Sequence, residues 1–185
     1  MKEALKIALC NTNQTPLAWD SNYSNLKNAI LNAKENGLNL ILFPELALTS
    51  ASCGNFFHYP YIQDFCFDIL NKILPLSNDI AIVIGLPLRL NDKTYNTCCI
   101  LKDGKILGFV PKSKLSSSPL INESSFFSSW NNLENIDIEI LKEKYPVSPN
   151  LIFNIQGYNI TIKIGDDIKD ASCISDSVNI PQLSN

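Results

Sequence analysis

The 185-residue sequence lacks several features that would each point to a particular class of protein. It has a single histidine, His58, in a loop of aromatic residues, so a Ser-His-Asp or Cys-His mechanism could run only through that side chain. Its six cysteines show no Cys-x-x-Cys spacing, which argues against a zinc site or a disulfide framework and favours reduced, buried thiols. No glycine-rich phosphate-binding loop is present in the sequence. We therefore expect neither a metal ion nor a bound cofactor.

Positive charge and long apolar runs are also scarce. The net charge of −3 and the pI near 5.1 argue against a nucleic-acid-binding protein, which would usually carry a basic patch. No apolar run reaches the length of a membrane span, and the N-terminal residues have no apolar segment as long as a signal peptide. Hydrophobic residues make up 45% and charged residues 18%, which is typical of a globular protein. These features predict a cytoplasmic protein of one domain that binds neither nucleic acid nor membrane.

Apolar runs that alternate with amphipathic stretches predict an α/β fold. A strand at Lys6–Cys10, a helix capped by Ser21 or Asn22 and a strand at Leu38–Phe43 would form a βαβ unit with parallel strands. A long loop rich in Ser and Asn is predicted after Pro111. The other predicted elements are a second helix ending at Ile73, strands at Ile80–Gly85, Tyr95–Lys102 and Lys105–Val110, and an antiparallel pair at Leu151–Phe153 and Tyr158–Ile164.

The strand that ends in Phe43-Pro44 places Glu45 at the rim of the predicted sheet. Proline has no N–H and cannot continue a central ladder, so the strand has to stop there. A carboxylate on such a rigid support is well placed to act as a general base. The alternative for Glu45 taken alone is a solvated carboxylate at the end of a strand.

Five segments, in chain order, carry a resemblance to a known family. They are Phe43–Thr49, Gly85–Arg89, Tyr95–Thr97, Asp103–Ser113 and Tyr145–Phe153. Together they resemble the nitrilase (carbon–nitrogen hydrolase) superfamily, and in particular the glutaminase domain of glutamine-dependent NAD synthetases. The resemblance implies an α-β-β-α sandwich over residues 1–168 that is truncated at its C-terminal end. It also implies a divergent tail at residues 169–185 and the absence of a synthetase domain.

The resemblance also assigns roles to individual residues. Glu45 falls on the family's general base, and Lys112 falls on the lysine that stabilises the oxyanion of the tetrahedral intermediate. Glu123 falls on a second glutamate, which helps to position the lysine and the substrate. Gly165 stands where the family has its cysteine nucleophile, and the two acidic residues that follow it approximately match those of the family.

A glycine has no side chain and cannot form the thioester on which the family's reaction depends. Either Cys53 or Cys173 could replace the missing thiol only if its backbone took a different path toward residue 165. The sequence therefore predicts a glutaminase-like domain that is catalytically inactive and whose ligand is glutamine or another small amide. Three alternatives stay open: an active hydrolase, a non-catalytic subunit that pairs with itself or with a separate NAD synthetase chain, and an unrelated α/β binding domain.

Overall fold

The structure is a computed structural model that describes residues 4–118, 121–132, 134–140 and 142–169. The helices are α1 (Trp19–Glu35) and α2 (Tyr61–Ile73). The strands are β1 (Ile7–Leu9), β2 (Leu40–Leu42), β3 (Ala81–Leu90), β4 (Lys93–Lys102), β5 (Lys105–Pro111), β6 (Ser117–Ser118), β7 (Ile121–Asn122), β8 (Ile136–Ile140), β9 (Glu143–Val147), β10 (Ile152–Ile155) and β11 (Tyr158–Thr161). Short 3₁₀ helices lie at Gly54–His58, Leu74–Ser77, Glu123–Ser125 and Gly165–Lys169.

Seven of the strands form one sheet in the order β1-β2-β3-β4-β5-β9-β8. The pairs β1–β2 and β2–β3 are parallel, and α1 connects β1 to β2, so the predicted βαβ unit is confirmed. The strands β3, β4 and β5 are antiparallel neighbours. Asp103 and Gly104, both with positive φ, form the predicted tight turn between β4 and β5. The fold is therefore the mixed α/β fold that the sequence predicts.

Both helices pack on one face of this sheet. Leu26 and Ile30 of α1 and Leu70 of α2 are fully buried in the same core as Ile82 and Ile84 of β3. Their spacing of three or four residues places the apolar side chains of each helix on a single stripe. Each such side chain contributes about 1.5–3 kcal/mol by its removal from water.

The hairpin formed by β10 and β11 covers the opposite face. Phe153 and Ile155 of β10 pack in one core with Val83 of β3 and Ile100 of β4. Successive residues of a strand point to opposite faces, and β3 is apolar almost throughout because both of its faces are covered. The described residues thus form a helix layer, a seven-stranded sheet and the two-stranded sheet of β10 and β11, and β6 and β7 form a further short antiparallel pair.

The predicted start of α1 is wrong by a few residues. The helix begins at Trp19, and neither Ser21 nor Asn22 caps it. Asn22 is instead fully buried inside the first turn, where its Nδ2 donates to the carbonyl oxygens of Thr15 (2.8 Å) and Leu48 (3.3 Å). Its Oδ1 accepts from the backbone N–H of Thr15 at 3.0 Å. The amide thus holds the preceding loop and is not free to cap the helix.

The predicted loop after Pro111 contains regular structure, which corrects the sequence prediction. The strands β8 and β9 pair as an antiparallel hairpin, and β9 joins the main sheet next to β5. The tail predicted at residues 169–185 lies outside the described residues except for Lys169. No helix in the described ranges is long and apolar enough to span a membrane.

Candidate active site

A glycine in β3 allows the backbone around Glu45 to pack directly against that strand. A Cβ atom added at Gly85 would overlap with backbone atoms of Pro44, Glu45 and Leu46. Only glycine permits this close approach, which brings the segment after β2 against the middle of the sheet. The Glu45 side chain is about one-third exposed (36%), so its carboxylate still reaches solvent.

Lys112 joins two carboxylates at the end of β5. Its Nζ lies 2.9 Å from Glu45 Oε2 and 2.9 Å from Glu123 Oε1, and its side chain is only 3% exposed. Glu123 is held in turn, because its Oε2 accepts the backbone N–H of Ser116 at 2.6 Å. The three residues that the resemblance singles out therefore lie together and are connected by hydrogen bonds.

Opposing effects act on the pKa of Lys112. Burial disfavours the ammonium form and lowers the pKa, whereas the hydrogen bonds that Nζ donates to Glu123 and Glu45, and the charges of these two carboxylates, raise it. The carboxylates outweigh burial, and the pKa is raised above its ordinary value. Lys112 thus stays a fixed cation, which can stabilise a developing oxyanion better in this partly dry site than in water.

The backbone of Gly165 faces this cluster. A Cβ atom built on residue 165 would stand 2.7 Å from Glu45 Oε1 and 2.8 Å from Lys112 Nζ. Gly165 has a φ of 51°, in the left-handed region, and it begins the 3₁₀ helix that follows β11. A side chain at residue 165 would therefore point directly at the carboxylate and the ammonium group.

Asp167 ties the segment of Gly165 to that of Lys112. Its carboxylate is buried and accepts the backbone N–H of Ser113 (2.9 Å to Oδ2) and of Lys114 (2.6 Å to Oδ1). These bonds span more than fifty residues of sequence and fix the distance between the two segments. Sequence reasoning noted Asp167 only as part of a motif and did not predict this contact.

Asp166 lines a cavity at this site and pairs with Lys169 at 2.6 Å near the surface. The hydrogen bond and charge of Lys169 lower the pKa of this carboxyl group below its ordinary value. Asp166 therefore stays negatively charged at the rim of the site.

A cavity of about 360 Å³ opens above these groups. Charged and polar side chains form one part of its wall, and apolar side chains, including two phenylalanines, form the rest. The lining residues are Glu45, Leu46, Ala51, Lys112, Ser116, Glu123, Phe126, Phe127, Gly165 and Asp166. The volume suits a small molecule that combines polar and apolar groups.

Cys53 does not line this cavity. Its thiol is buried and donates to the carbonyl oxygens of Thr49 (3.0 Å) and Ser50 (3.3 Å). Burial raises its pKa, which makes the thiol a poorer nucleophile. Cys173, the other cysteine considered from the sequence, lies outside the described residues. His58 is exposed and is also absent from the described lining of the cavity.

The raised pKa of Cys98 in β4 leads us to expect that the stability of the fold depends on pH. Burial, with a smaller effect of the Glu45 carboxylate, raises the pKa of this thiol from 9.0 to about 12. Between these values the unfolded chain binds fewer protons than the folded chain, so stability falls as the pH rises. One such group contributes a slope of about 1.4 kcal/mol per pH unit.

We therefore expect Cys98→Ala to flatten the loss of stability above about pH 9, where the unfolded thiol begins to ionise. Urea unfolding at several alkaline pH values measures the free energy of unfolding for both chains. If the free energy of unfolding fell equally steeply with pH in the original chain and in the variant, Cys98 would not be kept protonated by the fold.

The fold agrees with comparisons to known proteins. A family model described as carbon-nitrogen hydrolase matches residues 6–166, and the chain belongs to this family. No cluster of three or more His, Cys, Asp or Glu side chains in the described ranges is arranged to hold a metal ion.

The relatives include glutamine-dependent NAD(+) synthetases. That of Arabidopsis thaliana is 29% identical over 135 residues, which are 72% of this chain and 19% of the plant protein. The crystal structure of a glutamine-dependent NAD(+) synthetase from Cytophaga hutchinsonii superposes with a TM-score of 0.83 at 27% identity, over 87% of this chain and 28% of that one. This chain therefore spans only a fraction of the length of these relatives.

A mutant of an amidase from Nesterenkonia AN1, a member of the nitrilase superfamily, matches 96% of this chain and 62% of its own. The TM-score is 0.75 at 16% identity, so this likeness concerns the fold. The nitrilase-like α/β fold inferred from the sequence is thus confirmed.

Proposed function

We propose that this chain is a glutaminase-like domain that binds glutamine or another small amide and does not hydrolyse it. The proposal rests on the direction in which a side chain at residue 165 would point. A Cβ atom there would lie within 3 Å of both Glu45 Oε1 and Lys112 Nζ, and glycine supplies no atom at that point. The base and the cation of a carbon–nitrogen hydrolase site are retained, and the nucleophile is missing.

The chemistry of amide hydrolysis explains why this single absence matters. A thiol at residue 165 would lose its proton to Glu45 and attack the amide carbonyl carbon, while Lys112 would stabilise the negative oxygen. The C–N bond would then break, and the leaving nitrogen would take the proton from Glu45 and depart as ammonia. Water would finally hydrolyse the thioester to the carboxylic acid. The bond between sulfur and the carbonyl carbon, on which all later steps depend, cannot form at a glycine.

The cavity supports binding of a small amide in the absence of turnover. Lys112 Nζ is a donor for the carbonyl oxygen, and Glu45 Oε1 is an acceptor for the amide N–H. Phe126 and Phe127 give apolar contacts to the rest of the ligand. The choice of glutamine rests on the names of the relatives, because these are glutamine-dependent enzymes.

Incubation with glutamine and measurement of ammonia tests the proposal. We expect the unmodified chain to release ammonia no faster than Glu45→Ala, because neither chain can form an acyl-enzyme. Glutamine should nevertheless raise the melting temperature of the unmodified chain, and the same concentration should have less effect on Glu45→Ala. Ammonia release that depends on Glu45 would contradict inactivity, and the absence of any thermal shift would contradict binding.

Several predictions from the sequence remain part of this proposal. They are the domain over residues 1–168, the cytoplasmic location, and association with a second copy or with a separate NAD synthetase chain.

A further inference from the structure

We propose that Asn96 is a positioning residue that sets which oxygen of Glu45 acts as the base. This inference rests on the proposed function. It assigns a role to the Tyr95-Asn96-Thr97 segment, none of whose residues takes part in the reaction described above. Asn96 lies in the middle of β4 and is fully buried.

Asn96 contacts both charged partners of the site. Its Nδ2 donates to Glu45 Oε2 at 2.7 Å, and its backbone carbonyl accepts the N–H of Lys112 at 2.8 Å. One residue of a rigid central strand thus fixes the Glu45 side chain and the backbone at Lys112. Groups held in this way keep their geometry better than groups supported by loops.

The hydrogen bonds divide the two oxygens of the Glu45 carboxylate between two tasks. Oε2 accepts from Asn96 Nδ2 and from Lys112 Nζ, and is therefore occupied. No donor among the described residues bonds Oε1, which is the oxygen that faces the Cβ direction of Gly165. Asn96 thus keeps Oε1 turned toward the place where a proton would be taken.

The chemical nature of Asn96 fits this task. An amide donor adds no charge, so it orients the carboxylate without competing with Lys112 for the role of cation. The Oδ1 atom of Asn96 is buried and has no partner among the described residues. A buried acceptor without a partner is unfavourable, and a strand position with no other task would more readily hold an apolar residue. Its presence indicates that the Nδ2 donor is needed.

The first test uses the Gly165→Cys background, in which the alkylation rate with iodoacetamide reports how well the new thiol is activated. We expect Asn96→Leu to lower this rate and to lower the kcat of ammonia release from glutamine about 10²-fold, with little change in KM. Asn96→Asp has the same shape, lacks the amide donor and adds a negative charge beside Glu45 Oε2, so it should lose at least as much. Thr97→Val is the matched control. It changes the next residue of β4 and removes a buried hydrogen bond to the carbonyl oxygen of Leu86 in β3, and this bond does not involve Glu45.

A second test needs no thiol and uses the unmodified chain. A side-chain amide proton that donates to a carboxylate resonates downfield, so the Asn96 Nδ2 proton should move upfield in Glu45→Ala and stay in place in Glu35→Ala. The Asn96 assignment is checked by the loss of the signal in Asn96→Leu.

The outcomes separate the inference from the proposed function. The proposed function fails if glutamine gives no thermal shift or if ammonia release depends on Glu45, whereas the amide resonance tests separately whether Asn96 donates to Glu45. A thiol that is not activated in Gly165→Cys would show that the chain has lost more than its nucleophile. Asn96 is not a positioning residue if the thiol is activated and Asn96→Leu changes the alkylation rate and kcat no more than Thr97→Val does. The same conclusion follows if the Asn96 Nδ2 proton does not shift in Glu45→Ala.

Discussion

Gly165→Cys is expected to convert this chain into one that releases ammonia from glutamine at least about 10²-fold faster than the unmodified chain. Loss of a nucleophile alone removes most of the rate of a hydrolase, so its return should restore a measurable part. The new Cβ atom would stand 2.7 Å from Glu45 Oε1 and 2.8 Å from Lys112 Nζ. Both contacts are to side-chain atoms and not to backbone, so these two side chains have to shift by a few tenths of an ångström within their hydrogen bonds to accommodate the Cβ atom. Ammonia release under saturating glutamine measures the gain.

Gly165→Ala is the matched control for this gain. It places a Cβ atom at the same left-handed position (φ 51°) and has no thiol. Both variants therefore carry the same backbone strain, about 1–2 kcal/mol, and only one carries a nucleophile. If Gly165→Cys folds as well as Gly165→Ala and releases no more ammonia, then the chain has lost more than its nucleophile.

Lys112→Met is expected to destabilise the fold by about 3 kcal/mol, because it leaves two neighbouring carboxylates without their shared cation. The Lys112 side chain is 3% exposed, and its Nζ lies 2.9 Å from an oxygen of Glu45 and 2.9 Å from an oxygen of Glu123. Methionine keeps the length of the side chain and removes the charge. Urea unfolding of both chains at neutral pH measures the loss.

Two further variants isolate the electrostatic cause. Adding Glu123→Gln to Lys112→Met removes one of the two repelling charges, so the double variant should recover part of the lost stability. Lys169→Met removes a lysine whose partner, Asp166, is near the surface, and it should change stability little. A double variant no more stable than Lys112→Met would indicate that lost packing, and not repulsion, is the cause.

Local patterns made much of the fold predictable. The apolar run of β3 and the Asp103-Gly104 turn mark their elements by short-range signals that tertiary contacts do not override. The alternating sequence Ile136–Ile140 is a similar signal for β8, although it follows a stretch rich in Ser and Asn that favours a loop. The capping residue of α1 could not be predicted in this way, because Asn22 is recruited by a carbonyl of Leu48, twenty-six residues away.

The site also combines residues that the sequence suggests with contacts that it does not. Glu45 and Lys112 could be proposed because their motifs follow predictable strands, whereas Glu123 could be proposed only from the family resemblance. The contacts of Asn96 with Glu45 and of Asp167 with the backbone of Ser113 join segments more than fifty residues apart. Only the three-dimensional arrangement reveals which polar residue of a strand faces the carboxylate.

The most direct test of the central claim is intact-mass spectrometry after a short incubation with glutamine and an acid quench. A site that lacks only its nucleophile predicts a covalent γ-glutamyl adduct on Gly165→Cys, located at residue 165, and no adduct on the unmodified chain or on Gly165→Ala. An adduct on the unmodified chain, or none on a folded Gly165→Cys, would contradict the claim.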